Sequence, residues 1–296
     1  MYITVLYGGR GTEREVSLAS GLRVTKALSA SKHRVHLLDF CGELEENMLP
    51  FLHQADAVFL ALHGDAGEGG DLQAALNAAG IRHYTGSDAT GAALAMNKQK
   101  AKQAVKSVGV PVTADAVWEP GTPPPVCTHP CAVKPLCGGS SVGLCIARKK
   151  QDIDAICPTE PMLIEPLLPG REYTVGVLAG QALPVIEIRP QGGVYDYRRK
   201  YTAGETAELC PAPISAEKAR LLQKWAQTAS DTLGLRDYAR IDFKEDDNGI
   251  PHFLEANTLP GMTETSLFPL AAATAGIDFQ ALCTRMAQLA AGRRTY

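Results

Sequence analysis

The chain has 296 residues, 45% of them hydrophobic and 21% charged, which is typical of a globular protein with two or three packed units. Its formal net charge of -3 gives no general positive field, so we expect no nucleic-acid or membrane partner, and any anion site must be a local cluster of cations. We find no basic leader before an apolar run and no stretch near the roughly 18 apolar residues of a membrane span, so we expect a cytoplasmic location.

The eight cysteines are scattered without CxxC pairs, so neither a zinc site nor a disulfide framework is expected. The tightest grouping is Cys127-x-His129-x-Cys131. It lacks a second ligand pair and lies in a proline-rich stretch. We therefore predict reduced thiols there and no metal.

The N-terminal part alternates short apolar runs with helical periodicity. Three strands are predicted, at 3–7, 35–40 and 57–62, with helices at 16–28 and 72–79. This strand–helix–strand order indicates a parallel sheet covered by helices. We assign it to an N-terminal α/β domain, residues 1–95.

The rest of the chain is richer in strands. After a helix at 97–108 and a proline-rich loop from 117, strands are predicted at 131–134, 142–147, 162–165, 172–178 and 183–188, with a short helix near Asp152. Residues 191–213 are polar and aperiodic, which predicts a long loop of the kind that forms lids. Helices are predicted at 216–233 and 271–289. The predicted fold class is α/β, with β-rich lobes at 96–178 and 179–296.

A predicted hairpin carries the most informative polar side chains. Two alternating runs flank Asn248-Gly249, and a two-residue turn there would pair positions whose numbers sum to 497. Asp242 would then face Glu255, and Arg240 would face Asn257, all on one sheet face. Opposed carboxylates need a cation between them, and oxygen ligands that leave room for phosphates favour magnesium. The alternative is a solvated edge hairpin whose register slips if the turn is asymmetric.

Two glycine-rich segments are candidates for anion binding. Lys134 ends an apolar strand and precedes 138–143, a Gly/Ser loop whose backbone N–H groups can contact phosphate. This loop is not a Walker motif, and the alternative interpretation is an ordinary turn. For Lys98, which begins the next predicted helix upstream, the alternative is a residue on a solvated helix face. The loop at 8–17 lies between a strand and a helix, where anions are favoured, but lacks the GxGxxG pattern of dinucleotide-binding oxidoreductases.

In combination, these segments resemble the D-alanine–D-alanine ligases of the ATP-grasp superfamily along nearly the whole chain. The matching segments are Gly8-Gly with Thr12-Glu-Arg-Glu-Val-Ser, His63-Gly with Gly67-Glu, Tyr84-Thr-Gly-Ser, Lys134-Pro with Gly139-Ser-Ser-Val-Gly, Tyr195-Asp-Tyr with Lys200-Tyr, Arg240-Ile-Asp, and Glu255-Ala-Asn-Thr-Leu-Pro-Gly-Met-Thr with Ser266. Their order and spacing are more specific than any single segment.

The resemblance implies a three-domain ATP-grasp fold that holds ATP between the two β-rich lobes, and a reaction in two steps. The carboxylate of one D-alanine attacks the γ-phosphate of ATP to give an acyl-phosphate, and the amine of a second D-alanine then displaces phosphate. The product would serve peptidoglycan precursor synthesis. Relatives suggest a homodimer that acts on small-molecule substrates.

The resemblance also implies residue roles at the amino-acid site. Glu13 would hold the first ammonium group, and Arg240 would neutralise the transferring phosphoryl group and the oxyanion, with the Gly261 amide as a further donor. The remaining matches are Ser140 and Tyr201 in the lid, Ser266 at the second carboxylate, and His63 and Leu267 as substrate contacts.

For ATP, the resemblance implies a second set of residues, with Mg²⁺ or Mn²⁺ as two bound ions. The metal ligands would be Asp242, Glu255 and Asn257. The phosphate contacts would be Lys98, Lys134, Ser141 and Lys200, and the adenine and ribose contacts Glu165, Leu168 and Glu172.

Three positions depart from the family pattern. Asn97 replaces a common acidic residue, Gly138 a common glutamate, and Pro166 a common lysine, which removes a backbone donor. These changes bear on nucleotide affinity and lid closure more than on the reaction class. The alternatives are a ligase for another pair, such as D-alanine with D-serine, and a non-catalytic ATP-binding module.

Overall fold

A computed structural model describes residues 1–139, 142–190 and 206–294, with the backbone alone for residues 65 and 66. The predictions for Ser140, Ser141, Lys200 and Tyr201, and most of the predicted lid, lie outside the described residues. Within the described ranges the strands form three sheets, of three, four and six strands.

The N-terminal sheet is parallel, as predicted. It comprises β1 (Tyr2–Gly8), β2 (Arg34–Phe40) and β3 (Ala57–Ala61) in the order β2-β1-β3. All five residues of β3 are buried, as expected for a strand of a parallel sheet covered by helices. Helix α1 (Arg14–Ala30) connects β1 to β2, and its N-terminus lies at the carboxyl end of β1.

The helices between this sheet and the next are short. They are α2 (Leu49–Gln54), which follows a 3₁₀ turn at Glu46–Met48, then α3 (Asp65–Glu68), α4 (Asp71–Ala78), α5 (Ala89–Met96) and α6 (Lys98–Ser107). The Asn97 side chain caps α6 by accepting a hydrogen bond from the Lys100 N–H at 3.0 Å. This replacement of the family's acidic residue therefore has a structural role, because it starts the helix that carries Lys98.

The central sheet is antiparallel, in the order β4-β7-β5-β6. Its strands are β4 (Ala116–Trp118), β5 (Cys131–Pro135), β6 (Cys145–Ala147) and β7 (Met162–Pro166), with α7 (Lys150–Asp154) between β6 and β7. The strand predicted at 142–147 is shorter than expected, because residues 142–144 belong to the turn that follows the Gly/Ser loop.

The C-terminal sheet is also antiparallel, in the order β11-β10-β8-β12-β13, with β9 beside β8. Its strands are β8 (Glu172–Leu178), β9 (Gln181–Ala182), β10 (Ile186–Pro190), β11 (Thr206–Leu209), β12 (Tyr238–Glu245) and β13 (Pro251–Asn257). Helix α8 (Ala216–Thr232) packs on it through Leu222 and Ala226, in one apolar cluster with Val175 and Ile241. The division at 95 and 178 stays a prediction.

Three further predicted elements differ from the structure. The strand predicted at 183–188 is displaced to β10, and the predicted loop at 191–213 contains β11. The single helix predicted at 271–289 is two helices, α9 (Leu267–Thr274) and α10 (Phe279–Ala291), because Gly276 takes a φ of +82° and Asp278 caps α10.

Among the described residues, no single helix is long and apolar enough to cross a membrane. Helices α9 and α10 together have the length and composition, but they are bent by 104° relative to one another.

Candidate active site

The hairpin of β12 and β13 has the predicted pairing at its polar end. Arg240 lies opposite Asn257, and Asp242 lies opposite Glu255. The four side chains that sequence reasoning assigned to phosphoryl transfer and metal binding are therefore neighbours.

The symmetric two-residue turn predicted at 248–249 is wrong. Near the turn, Glu245 pairs with Pro251, one position from the predicted partner. The register shifts back by one residue between Asp242 and Phe243, where β13 has an extra residue. The two displacements cancel, so the pairing beyond the bulge agrees with the prediction.

Asp242 is the centre of a hydrogen-bond network on this hairpin. Arg240 donates to both of its carboxylate oxygens, from Nε to Oδ1 at 3.0 Å and from Nη2 to Oδ2 at 2.9 Å. The Thr174 hydroxyl donates to Oδ1 at 2.6 Å, and Asn257 Nδ2 donates to Oδ2 at 3.0 Å. The buried carboxylate thus has the cationic partner that its burial requires.

This donor set fits a hard divalent cation. Asn257 uses its nitrogen on Asp242, which leaves its amide oxygen for another partner. Glu255 lies across the hairpin with its Oε2 3.9 Å from Lys98 Nζ. Two carboxylates and an amide oxygen on one face match the ligands that Mg²⁺ uses when it also binds substrate phosphates.

Lys98 also contacts the Gly/Ser loop. Its Nζ donates to the Gly138 carbonyl at 2.6 Å, and its side chain is buried. Gly138 has a φ of +112°, where a glutamate would be strained, so the glycine found here suits the loop's backbone. The lysine is therefore not the solvated helix residue of the alternative interpretation.

Lys134 lies in a buried ion-pair cluster centred on Glu165. Its Nζ is 2.6 Å from Glu165 Oε1, while Lys102 Nζ is 2.7 Å from Oε2 and 3.0 Å from Asp115. Burial acts to raise the pKa of Glu165, but the two lysines outweigh it and lower that pKa to about 2. Glu165 is therefore a permanent anion that holds Lys134 at the wall of a cleft.

That cleft has a volume of about 250 Å³ and lies between the central and C-terminal sheets. It is lined by every described residue that the sequence assigned to ATP and by two of the three predicted metal ligands, namely Lys98, Lys134, Glu165, Leu168, Glu172, Asp242 and Glu255. Glu172 is paired there with Lys244 at 2.8 Å. The mixture of cations, carboxylates and apolar wall suits a nucleoside triphosphate with its metal.

A second, smaller cleft lies at the N-terminus of α1. It is lined by the described residues that the sequence assigned to amino acids and by one metal ligand, namely Glu13, His63, Arg240, Asn257, Gly261, Ser266 and Leu267. A small cavity joins the two clefts, lined by Lys98 and Glu255 of the first and by Glu68 and Asn257 of the second. The clefts therefore meet at the hairpin.

Glu13 lies between two glycine-containing loops. A Cβ on Gly64, whose φ is +68°, would collide with the Glu13 carboxylate, and one on Gly139 would lie 3.5 Å from it. Glu68 also lines this cleft and accepts a hydrogen bond from the Gly64 N–H at 3.1 Å. Burial, and secondarily the charge of Glu13, raises the pKa of Glu68 to about 8.

His63 is fully engaged with the protein. Its Nδ1 must donate to the Leu259 carbonyl at 3.0 Å, because a carbonyl only accepts, so its Nε2 accepts from the Ser20 hydroxyl at 2.9 Å. Burial lowers the pKa of His63 to about 4, so the ring is neutral at pH 7. The Ser20 oxygen in turn accepts from the Met262 N–H at 3.3 Å. His63 therefore orients the loop that follows β13.

That loop carries Gly261 and Ser266. The Ser266 hydroxyl accepts from the Thr263 N–H at 2.9 Å, and a Cβ on Gly261 would lie 2.7 Å from it. Arg23 of α1 donates to the carbonyls of Met262 and Thr263 at 2.9 and 2.7 Å. The tight packing explains the glycine, and Ser20 and Arg23 hold the loop against α1.

Sequence reasoning missed Lys102 and gave Glu68 no role. The signal for Lys102 was present, because the buried residues of α6 are Lys98, Ala101, Lys102 and Val105, a helical face at i, i+3, i+4 and i+7.

Comparison with known proteins is consistent with this geometry. A family model described as D-ala D-ala ligase C-terminus matches residues 125–288. The D-alanine–D-alanine ligase of Methylacidiphilum infernorum is 39% identical over 97% of this chain and 95% of its own length. That of Aquifex aeolicus is 42% identical over 95% of this chain and 98% of its own length.

Solved structures agree. A D-alanine–D-alanine ligase from Bacillus anthracis superposes with a TM-score of 0.85 at 29% identity, covering 98% of this chain and 97% of that one. A structure of a Bacillus anthracis D-alanine–D-alanine ligase complexed with ATP superposes with a TM-score of 0.85 at 27% identity, covering 98% of this chain and 97% of that one. The VanG D-Ala:D-Ser ligase of Enterococcus faecalis superposes with a TM-score of 0.80 at 26% identity, covering 98% of this chain and 99% of that one.

Proposed function

This chain belongs to the D-alanine–D-alanine ligase family, and we propose that it joins two D-alanine molecules through a D-alanyl phosphate, with release of ADP and phosphate. One observation carries the residue roles. The face of the β12–β13 hairpin that presents Asp242 and Glu255 to the larger cleft also presents Arg240 and Asn257 to the smaller one. A nucleotide phosphate and an amino-acid carboxylate bound in the two clefts would meet there.

The first step is phosphoryl transfer. Lys98 and Lys134 line the larger cleft, where they bind the ATP phosphates, and Leu168 packs on the adenine side. The substrate carboxylate attacks the γ-phosphorus and ADP leaves. Arg240, at the junction, exchanges its hydrogen bonds with Asp242 for bonds to the transferring phosphoryl oxygens.

Asp242, Glu255 and Asn257 would hold magnesium or manganese. When bound, the ions neutralise phosphate charge and orient the chain of phosphates. The Arg240 guanidinium is a further positive charge beside Asp242.

The second step joins the amino acids. Glu13, buried at the start of α1, holds the ammonium group of the first D-alanine, and Ser266 holds the carboxylate of the second. The free amine of the second attacks the acyl carbon, and phosphate leaves from the tetrahedral intermediate and takes up the proton that the new amide nitrogen loses. Arg240 and the Gly261 amide stabilise its oxyanion. His63 takes no proton, because its ring nitrogens hold Leu259 and Ser20.

Further features of the proposal depend on the resemblance. Ser140 and Tyr201 would close over the first substrate, while Ser141 and Lys200 would contact the phosphates. The reaction would take place in the cytoplasm, where ATP is available, and would supply a precursor of peptidoglycan. The homodimer stays a prediction.

The test is amino-acid-dependent formation of ADP by the full chain with Mg-ATP. We expect ADP release and a dipeptide mass with D-alanine, and neither with L-alanine. D-serine is the acceptor to compare, because the VanG D-Ala:D-Ser ligase shares the fold. If the enzyme forms the mixed D-alanine and D-serine product in preference to the D-alanine dimer, the second substrate is D-serine and not D-alanine. No ADP release with any of these amino acids would refute the ligase assignment.

A further inference from the structure

The Cys127-x-His129-x-Cys131 segment lies outside both clefts, at the start of β5. The Cys131 Sγ is 3.9 Å from the Cys127 Sγ and 3.7 Å from His129 Nδ1. All three potential ligand atoms lie within 4.8 Å of one another. The segment for which the sequence predicted no metal therefore brings three ligand atoms to one point.

These separations match the edges of a metal tetrahedron. With Zn–S bonds of about 2.3 Å, Zn–N bonds of about 2.05 Å and tetrahedral angles, two sulfurs lie about 3.8 Å apart and a sulfur and a nitrogen about 3.6 Å apart. The two separations from the Cys131 sulfur are within a few tenths of an ångström of these values. A cation can therefore bind with little movement of the Cys131 side chain.

We propose that Cys127, His129 and Cys131 form a three-ligand site for a thiophilic cation of the zinc class, with its fourth position taken from solvent. Thiolate and imidazole ligands select Zn²⁺ over Mg²⁺, so the site is chemically distinct from the oxygen ligands at Asp242. Cys131 is buried, Cys127 is half-buried and His129 is exposed, so the site opens outward. Among the described residues no fourth His, Cys or carboxylate joins the group.

The site is attached to the wall of the larger cleft through backbone. Cys131 pairs with Pro166 across the β5–β7 ladder, and the Leu167 N–H donates to the Pro130 carbonyl at 3.0 Å. Leu167 and Leu168 line the cleft. A bound cation would hold in place the strand end on which that wall rests.

The experiment is direct metal binding to the full chain, reduced and freed of metal with a chelator. Zn²⁺ is titrated calorimetrically with Mg²⁺ present in excess, and Co²⁺ is titrated in parallel to observe thiolate-to-metal absorption. We expect one ion per chain and a thiolate band. Cys127→Ser and His129→Ala should each weaken binding about tenfold or more, whereas Cys157→Ser and Cys145→Ser, at exposed cysteines, should leave it unchanged.

Two results would overturn the proposal. One is zinc affinity in Cys127→Ser and His129→Ala equal to that of the unsubstituted chain. The other is absence of zinc binding by the reduced, metal-free chain, which would make the three side chains an unligated cluster. The readout is metal binding, so neither result depends on ligase activity, and loss of ligase activity would not affect the proposal.

Discussion

Lys102 and Glu165 form an ion pair of 2.7 Å in which both side chains are almost fully buried. Thr113 donates to the same carboxylate oxygen at 3.0 Å, and the other oxygen holds Lys134 at 2.6 Å. Lys102 itself does not line the cleft. Its effect on the nucleotide site is therefore indirect, through the orientation of Glu165 and the charge balance around Lys134.

Lys102→Met should destabilise the fold strongly. It leaves the buried Glu165 with one lysine instead of two and removes the lysine that pairs with Asp115, and breaking a buried pair costs about 3–5 kcal/mol. Urea unfolding monitored by circular dichroism measures the loss. Lys100→Met is the matched control, since Lys100 is exposed on the same helix and its loss should change stability by no more than about 0.5 kcal/mol. Equal stability of the two variants would contradict the buried cluster.

Glu68 should make stability fall as pH rises. Its folded pKa of about 8 lies above the ordinary value of 4.5, so the folded state keeps a proton that the unfolded chain has released. Its contribution is complete below about pH 4.5 and is lost as pH rises towards 8, at up to about 1.4 kcal/mol per pH unit. Glu68→Gln mimics the protonated acid and should remove this slope.

The measurement is the free energy of unfolding of wild type and variant between pH 5 and pH 8.5. Glu119→Gln, at an exposed glutamate, controls for the loss of one charge. Parallel curves for wild type and Glu68→Gln would show that Glu68 is ionised in the fold like any surface glutamate.

The sequence predicted the residues on the reacting face of the site better than the buried residues that hold them in place. The strict alternation of β12 and β13 forces Arg240, Asp242, Glu255 and Asn257 onto one face, so the grouping survived an incorrect turn because a bulge compensated for it. The local alternation of polar and apolar residues is therefore enough to predict which side chains share a sheet face.

The residues that hold the site in place depend on contacts between segments that are far apart along the chain. The position of Lys102 on the apolar face of α6 is a local pattern, but its ion pair with Glu165, 63 positions away along the chain, is not. The break between α9 and α10 was missed because the alanine-rich run across it keeps high helix propensity, while one glycine in a left-handed conformation ends the helix.

Gly64→Ala should impair binding of the first amino acid. The added Cβ would collide with the Glu13 carboxylate, and a φ of +68° is unfavourable for alanine. We expect KM for D-alanine to rise about tenfold or more, with KM for ATP nearly unchanged. Gly180→Ala is the control, because Gly180 also has a positive φ, of +75°, but a Cβ there would meet nothing within 4 Å. Similar effects on KM in both variants would place the cause in backbone strain and not in displacement of Glu13.

Arg240→Lys should lower kcat without unfolding the protein. Lysine keeps the charge but loses the two-pronged contact that Arg240 makes with Asp242 and that we propose it makes with the phosphoryl oxygens. A drop of about 10²–10³ in kcat is expected for a lost transition-state donor. Arg220→Lys, on the exposed face of α8, should retain full activity. If Arg240→Lys changes only KM for ATP and leaves kcat unchanged, Arg240 acts in ground-state binding of the nucleotide and not in the transition state.

Glu255→Gln should raise the concentration of Mg²⁺ needed for half-maximal activity. Replacing one carboxylate oxygen by an amide nitrogen removes a charged ligand from the set formed with Asp242 and Asn257. We expect a shift of about tenfold or more, measured by ADP release at saturating D-alanine over a range of free Mg²⁺. Glu160→Gln, at an exposed glutamate, controls for net charge. Because Glu255 also lies 3.9 Å from Lys98, a rise in KM for ATP with unchanged Mg²⁺ dependence would instead assign Glu255 to the positioning of that lysine.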